Sequence, residues 1–181
     1  MVAQVQLVPE LHLGSIVLAN QDNRAAFTAV SNFIEDHYLG LTGLDRVQEL
    51  VTPAAALATV DAQAKATVWQ QVAAAQKAAP KRPDYTPYLG RYHDAWFGDV
   101  TVYQQGTQLW WKAARSPRLL GQLLPYRGNT YVVRWKDRTI DANAFTAFTL
   151  DPQGRAASIK MDDILHAPAS DFKYLDLRRV E

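Results

Sequence analysis

Hydrophobic and polar positions change their period along the 181 residues. From Val2 to Glu10 they alternate loosely, with Val5, Leu7 and Ala3 on one face, and Leu11-His12-Leu13-Gly14 reads as a turn. Ser15-Ile16-Val17-Leu18-Ala19-Asn20 is a β-forming run whose near-continuous apolarity predicts a strand covered on both faces. Together these segments predict a hairpin. Gln21-Asp22-Asn23 then supplies a helix N-cap. Ala26, Phe27, Val30, Phe33, Ile34, His37 and Tyr38 recur at three and four, the period of an amphipathic helix, and Gly40 stops it. Two strands and one helix are too few to be stable alone. Each large apolar side chain left exposed forgoes about 1.5–3 kcal/mol of burial. This piece therefore requires more sheet or another chain.

Leu44 to Thr52 predicts a short helix, and Pro53 suits the first turn of a second one. Ala54 to Ala79 is rich in Ala and Gln, without Gly or Pro, and carries one modest stripe of Leu57, Val60, Ala64, Val68 and Val72. It reads as a connecting helix, about 40 Å long at 1.5 Å per residue. A coiled-coil role is the weaker alternative, because Ala makes a poor seam. Ala79-Pro80-Lys81-Arg82-Pro83-Asp84 ends the helix and marks a domain boundary.

Beyond this linker the period shortens to two. The strands predicted are 89–93, 99–104, 108–112, 119–125, 130–135, 144–150, 156–161 and 172–177. Gln105-Gly106, Arg127-Gly128-Asn129 and Asp151-Pro152-Gln153-Gly154 are strong turns. Hairpin-linked strands of this number suit an up-and-down barrel or a sandwich. The expected fold class is α+β: a hairpin and helix at 1–42, a helical connector and linker at 43–85, and an eight-stranded antiparallel β-barrel at 86–181.

Charge and composition exclude more than they assign. The 19 Lys+Arg against 18 Asp+Glu form no basic run that would attract nucleic acid. Without cysteine there is no disulfide, thiol nucleophile or thiolate metal site. The N-terminus shows no signal peptide, and no apolar run approaches the roughly 20 residues that span a bilayer. His12, His37, His93 and His166 form no ligand pair at helical spacing, so neither a metal nor another cofactor is expected. His37 reads as a packed histidine and His166 as loop surface. Asp162 and Asp163 read as a solvated strand end. Phosphate-binding glycine loops of standard spacing are absent.

Aromatic residues are the more suggestive feature. Tyr92, Trp96, Tyr103, Trp110, Trp111, Tyr131 and Trp135 concentrate in the first five of these strands. Tyr131, Val133 and Trp135 share one face, while Val132 and Arg134 share the other. Trp110 and Trp111 must point to opposite sides. A small barrel either fills with side chains or holds one ligand. A small apolar ligand in the interior would meet Tyr92, Trp96, Trp111 and Trp135, with Arg115 or Arg134 as polar anchor.

Several segments, in order, carry a family resemblance. They are Tyr88-x-Gly90-x-Tyr92, Trp96-Phe97-Gly98-Asp99-Val100, Ser116-Pro117-Arg118-Leu119, Trp135-x-Asp137-Arg138, Ala142-x-Ala144-Phe145-x-x-Phe148, Leu150-Asp151-Pro152-x-Gly154 and Asp171-Phe172-x-Tyr174-x-Asp176-Leu177. From about residue 86 to 181 the pattern resembles the lipocalin-like domain of unknown function appended to class C β-lactamase-related serine hydrolases. Leu7-Val8-Pro9-Glu10-Leu11-x-Leu13-Gly14-x-Ile16-Val17-Leu18-x-Asn20-Gln21 resembles the last hairpin of that family's catalytic domain, and Ala25 to Gly40 its closing helix.

The resemblance implies a bacterial accessory or assembly module, partnered by an upstream catalytic domain and by further copies through residues 2–40. It suggests a periplasmic or secreted protein if a signal lies upstream. The family's Ser-x-x-Lys, Tyr-x-Asn and Lys/His-x-Gly elements would lie upstream of residue 1. No catalytic residue is therefore assigned in this chain, which is expected to be no enzyme by itself. One literal Ser-x-x-Lys, Ser170-Asp171-Phe172-Lys173, enters a predicted strand, where residues three apart face opposite ways. A stand-alone barrel that binds a small apolar ligand is the alternative.

Overall fold

The structure is a computed structural model that describes residues 2–20, 23–140, 142–165 and 171–180. It divides into two compact units, residues 1–62 and 63–181, a division that falls inside a helix rather than at the 79–84 linker.

In the first unit, β1 (Val2–Val8) pairs antiparallel with β2 (Leu13–Ala19) across a 3-10 turn at Pro9–Leu11. Helix α1 (Arg24–Tyr38) is capped by Asn23, whose Oδ1 accepts the Ala26 N–H at 3.1 Å. It packs on the hairpin face that carries Gln4 and Gln6, and Gln6 donates to Glu35. Arg46 grips Asp36 through Nε at 2.6 Å and Nη2 at 3.0 Å, which holds the Asp36 carboxyl below its ordinary range.

Three expectations change here. β2 is covered on one face only, so its burial alternates although its sequence does not. Much of the α1 apolar stripe points outward: Val30, Phe33 and Tyr38 are exposed, and so is His37. The physical reason is that one helix can cover only one face of two strands. Finally, the helix broken at Pro53 is continuous: α2 runs from Arg46 to Ala78 with Pro53 inside it. Proline forfeits one backbone bond but keeps a helical φ, so the helix survives it.

In the second unit, β3 (Gly90–Asp94), β4 (Gly98–Gln105), β5 (Gln108–Ala113), β6 (Leu120–Arg127), β7 (Thr130–Trp135), β8 (Ala144–Leu150) and β9 (Ala156–Asp163) form an antiparallel meander. β10 (Leu177–Arg179) closes the barrel between β9 and β3. The α+β class and the eight-stranded closed antiparallel barrel are as the sequence predicts. The last strand lies later than the expected 172–177. Phe172–Tyr174 is a 3-10 turn, because the Phe172 ring lies against Trp135 at a centroid distance of 5.8 Å instead of extending along the wall.

Alternate residues of each strand enter the core. The end of α2 covers the outer wall, where Val72, Val68 and Trp69 pack on Leu124 and Val132. Gly121 is required by packing. A Cβ there would lie 2.5 Å from Val133 Cγ2 and 2.9 Å from Trp135 Cε3.

Candidate functional site

The barrel interior is an aromatic core. Trp111 and Trp135 meet edge to face, with centroids 5.2 Å apart, and Phe97 lies against Trp111 at 6.1 Å. Tyr88, Tyr131 and Phe148 form a second cluster with centroids 4.8 to 5.7 Å apart. Trp135 Nε1 donates to the Ala142 carbonyl at 2.7 Å. Such rings interlock by offset and edge contacts, and each adds to the burial of its area.

Each end of the barrel has an ionic fastening. At one end Arg179 donates to the carbonyls of Pro87 (3.0 Å), Leu89 (2.6 Å) and Ala156, and its Nη2 reaches the Tyr92 hydroxyl at 2.8 Å. Burial pushes the Tyr92 phenol up to about 12, against the pull of the Arg179 charge. At the other end the buried Asp94 carboxylate accepts the N–H groups of Trp96 (2.9 Å), Phe97 (2.7 Å) and Asp176 (2.7 Å). Burial opposes its ionisation, yet these three donors hold its carboxyl below the ordinary aspartate value.

The six candidate residues separate into two groups. Tyr92, Trp111 and Trp135 are interior and almost fully buried. Trp96, Arg115 and Arg134 are not interior, which corrects their expected place. Trp96 sits in the β3–β4 turn and is 66% exposed. Arg115 lies against Gly98, whose φ of +89° and missing Cβ leave room for the guanidinium, and donates to the Trp96 carbonyl at 3.3 Å. Arg134 follows the outward parity of its strand and bonds Gln122 at 3.4 Å.

Other chemistry is sparse. Among the described residues no group of three or more His, Cys, Asp or Glu could hold a metal ion. His93 Nδ1 lies 2.6 Å from Asp99, which also pairs with Arg91 at 3.2 Å. His93, foremost, holds the Asp99 carboxyl low. This cluster is on the outer face and lacks a nucleophile. His166 and Ser170 lie outside the described residues. Because 172–174 is a 3-10 turn, the strand-parity argument against Ser170-x-x-Lys173 does not apply; Lys173 Nζ lies over the Tyr174 ring at 5.0 Å. A literal His-x-Gly also occurs, His12-Leu13-Gly14, with His12 exposed and left-handed at φ 52° in the hairpin turn. No described helix is long and apolar enough to cross a membrane.

The first unit presents an open apolar surface and, between α1 and the start of α2, a cleft of about 470 Å³ lined by Ala29, Val30, Phe33, Leu44 and Val47. The outer face of its hairpin carries Val5, Leu7, Ile16 and Leu18, exposed at 63, 71, 69 and 70%. The covered face is mixed, with Val2, Val8, Leu13 and Val17 beside Gln4, Gln6 and Ser15. Gln4 Oε1, Gln6 Oε1 and Ser31 Oγ are buried there without a partner.

Fold and site together define a closed eight-stranded antiparallel β-barrel with an aromatic core and one helix on its outer wall. The chain belongs to the family described as a domain of unknown function, DUF3471, whose model matches residues 74–179. No curated protein and no solved structure matches it.

Proposed function

We propose that the chain is a non-catalytic accessory and assembly module of a β-lactamase-related serine hydrolase. The observation that carries this reading is the open hairpin face. It is apolar throughout and exposed at Val5, Leu7, Ile16 and Leu18, while α1 covers only the other, mixed face, an arrangement suited to a further protein layer. Exposed rows of this kind mark protein contact surfaces. The occupant is either a hydrolase catalytic domain, as the resemblance of 7–40 implies, or the same segment of a second copy. The barrel then braces or spaces the assembly. Trp111, Trp135 and Tyr92 pack into its core, while Trp111 Nε1 and Thr146 Oγ1 are buried without a partner, so a carrier for a small apolar ligand stands as the second reading.

The test combines activity with mass in solution. The chain is assayed on nitrocefin, a short-chain nitrophenyl ester and a D-amino-acid peptide, with light scattering on the same sample. The expected result is no turnover, and an oligomer that dissociates when residues 1–40 are deleted. Turnover abolished by Ser170→Ala overturns the reading, and a monomer at tens of micromolar overturns the second copy as occupant of the open face.

A further inference from the structure

One outer wall of the barrel is built differently from the rest. Tyr103, Trp110, Gln122 and Arg134 are successive cross-strand partners on β4, β5, β6 and β7, so they stand in one row. Lys112 and Leu120 form the next row, and the Lys136 N–H continues it by donating to the Leu120 carbonyl at 2.8 Å. Trp110, Gln122, Arg134, Lys136 and Arg138 line a cleft of about 370 Å³.

The charge on this wall is one-sided. No outward position of β5, β6 or β7 is acidic. The nearest acid in sequence, Asp137, is held by Arg118 at 2.7 Å and by Thr139. Among the described residues no carboxylate pairs with Lys112, Arg134, Lys136 or Arg138. A chain of net charge +1 therefore concentrates four cations here. In their midst Trp110 is half-buried, with its indole N–H turned inward, buried and without a partner.

We propose that this wall binds an acidic oligosaccharide. A pyranose ring lies against Trp110, and its carboxylates are taken by Arg134, Lys136 and Arg138. Guanidinium groups match the planar, two-oxygen shape of a carboxylate. The apolar C–H face of a sugar suits an indole that is open on one side. The row spans three inter-strand spacings, about 14 Å at ~4.8 Å each, which is longer than one sugar ring and favours an oligomer. The cleft volume suits a small ligand. Nucleic acid fits less well. The sequence pI is 8.0, below the value of about 9 typical of such domains, and four cations fall short of the roughly 6–10 phosphate contacts that give strong binding.

Calorimetric titration of the full chain at low salt tests this, with trigalacturonic acid and a hyaluronan tetrasaccharide as acidic probes. Maltotriose is the neutral control, and a six-nucleotide oligothymidylate the competing polyanion. At least one acidic probe is expected to bind, and to weaken as salt is added. Binding is expected to fall about tenfold or more in the double variant Arg134→Glu, Lys136→Glu, whose exposed positions leave the fold intact by circular dichroism. Trp110→Ala is expected to lose affinity as well. The proposal is overturned if neither acidic probe binds at millimolar concentration, if the charge-reversed variant binds equally well, or if maltotriose or the oligothymidylate binds more tightly.

Discussion

The guanidinium of Arg179 lies over the ring of Tyr92, 5.0 Å from its centroid, while one of its nitrogens donates to the same residue's hydroxyl at 2.8 Å. This contact ties the last strand to the first strand of the barrel. Arg179→Met keeps the length of the side chain and removes every donor, so the carbonyls of Leu89 and Ala156 lose their Arg179 bonds, while Pro87 keeps the Ala156 N–H. A loss of about 2–4 kcal/mol is expected in urea unfolding. A loss below about 0.5 kcal/mol would show that the fastening is not structural.

Alkali is expected to weaken the barrel. Burial raises the phenols of both Tyr92 and Tyr131 above the ordinary 10.0. A group whose folded value is raised stabilises fully below its unfolded value and loses that contribution as pH rises. Stability should therefore decline from about pH 10 towards 12, with a smaller decline in Tyr92→Phe. Thermal melts across this range read the effect.

Asp94 sets the opposite limb. Its folded value is lowered, so its contribution is present above the ordinary aspartate value and is lost as pH falls through the folded one. Asp94→Asn turns one accepting oxygen into a donor that faces the N–H groups. About 1–3 kcal/mol is expected to be lost at neutral pH, with a shallower acid limb than in the parent. Equal acid profiles for the two proteins would contradict this.

Gly121→Ala should damage the core without touching any charge. Its Cβ would collide with Val133 and Trp135, both packed by the opposite walls. Overpacking of this kind costs about 1–3 kcal/mol. Near-ultraviolet circular dichroism should report the displaced indole.

The open hairpin face gives a prediction about assembly. Ile16→Thr with Leu18→Thr places β-branched strand formers at both positions but makes the exposed row polar. Light scattering should show weaker association, with the barrel's melting temperature unchanged. An oligomer of undiminished strength would place the contact elsewhere.

What the sequence determines here is local. Period-two alternation and the Gly106, Gly128 and Gly154 turns fix seven of the barrel strands to within a few residues, because the pleat and a left-handed turn residue are properties of neighbouring positions. Trp110 and Trp111 had to face opposite ways for the same reason. Closure is different. β10 is displaced because Phe172 finds Trp135, 37 positions earlier in the chain, and Asp94 reaches the Asp176 N–H across the barrel end; no window on the sequence contains both partners. The candidate site divides the same way. Parity sets Arg134 on the face opposite Tyr131, Val133 and Trp135, yet the sequence still offers it as an interior anchor; closure of the barrel decides which parity faces out, and α2 packs over Val132 while Arg134 stays exposed. Arg134, Lys136 and Arg138 are too spaced out to read as a basic run, and only the strand register sets them beside Lys112 and Trp110. In the first unit the chain reveals an excess of apolar residues, while the choice of which face stays open was made by where a single helix could pack.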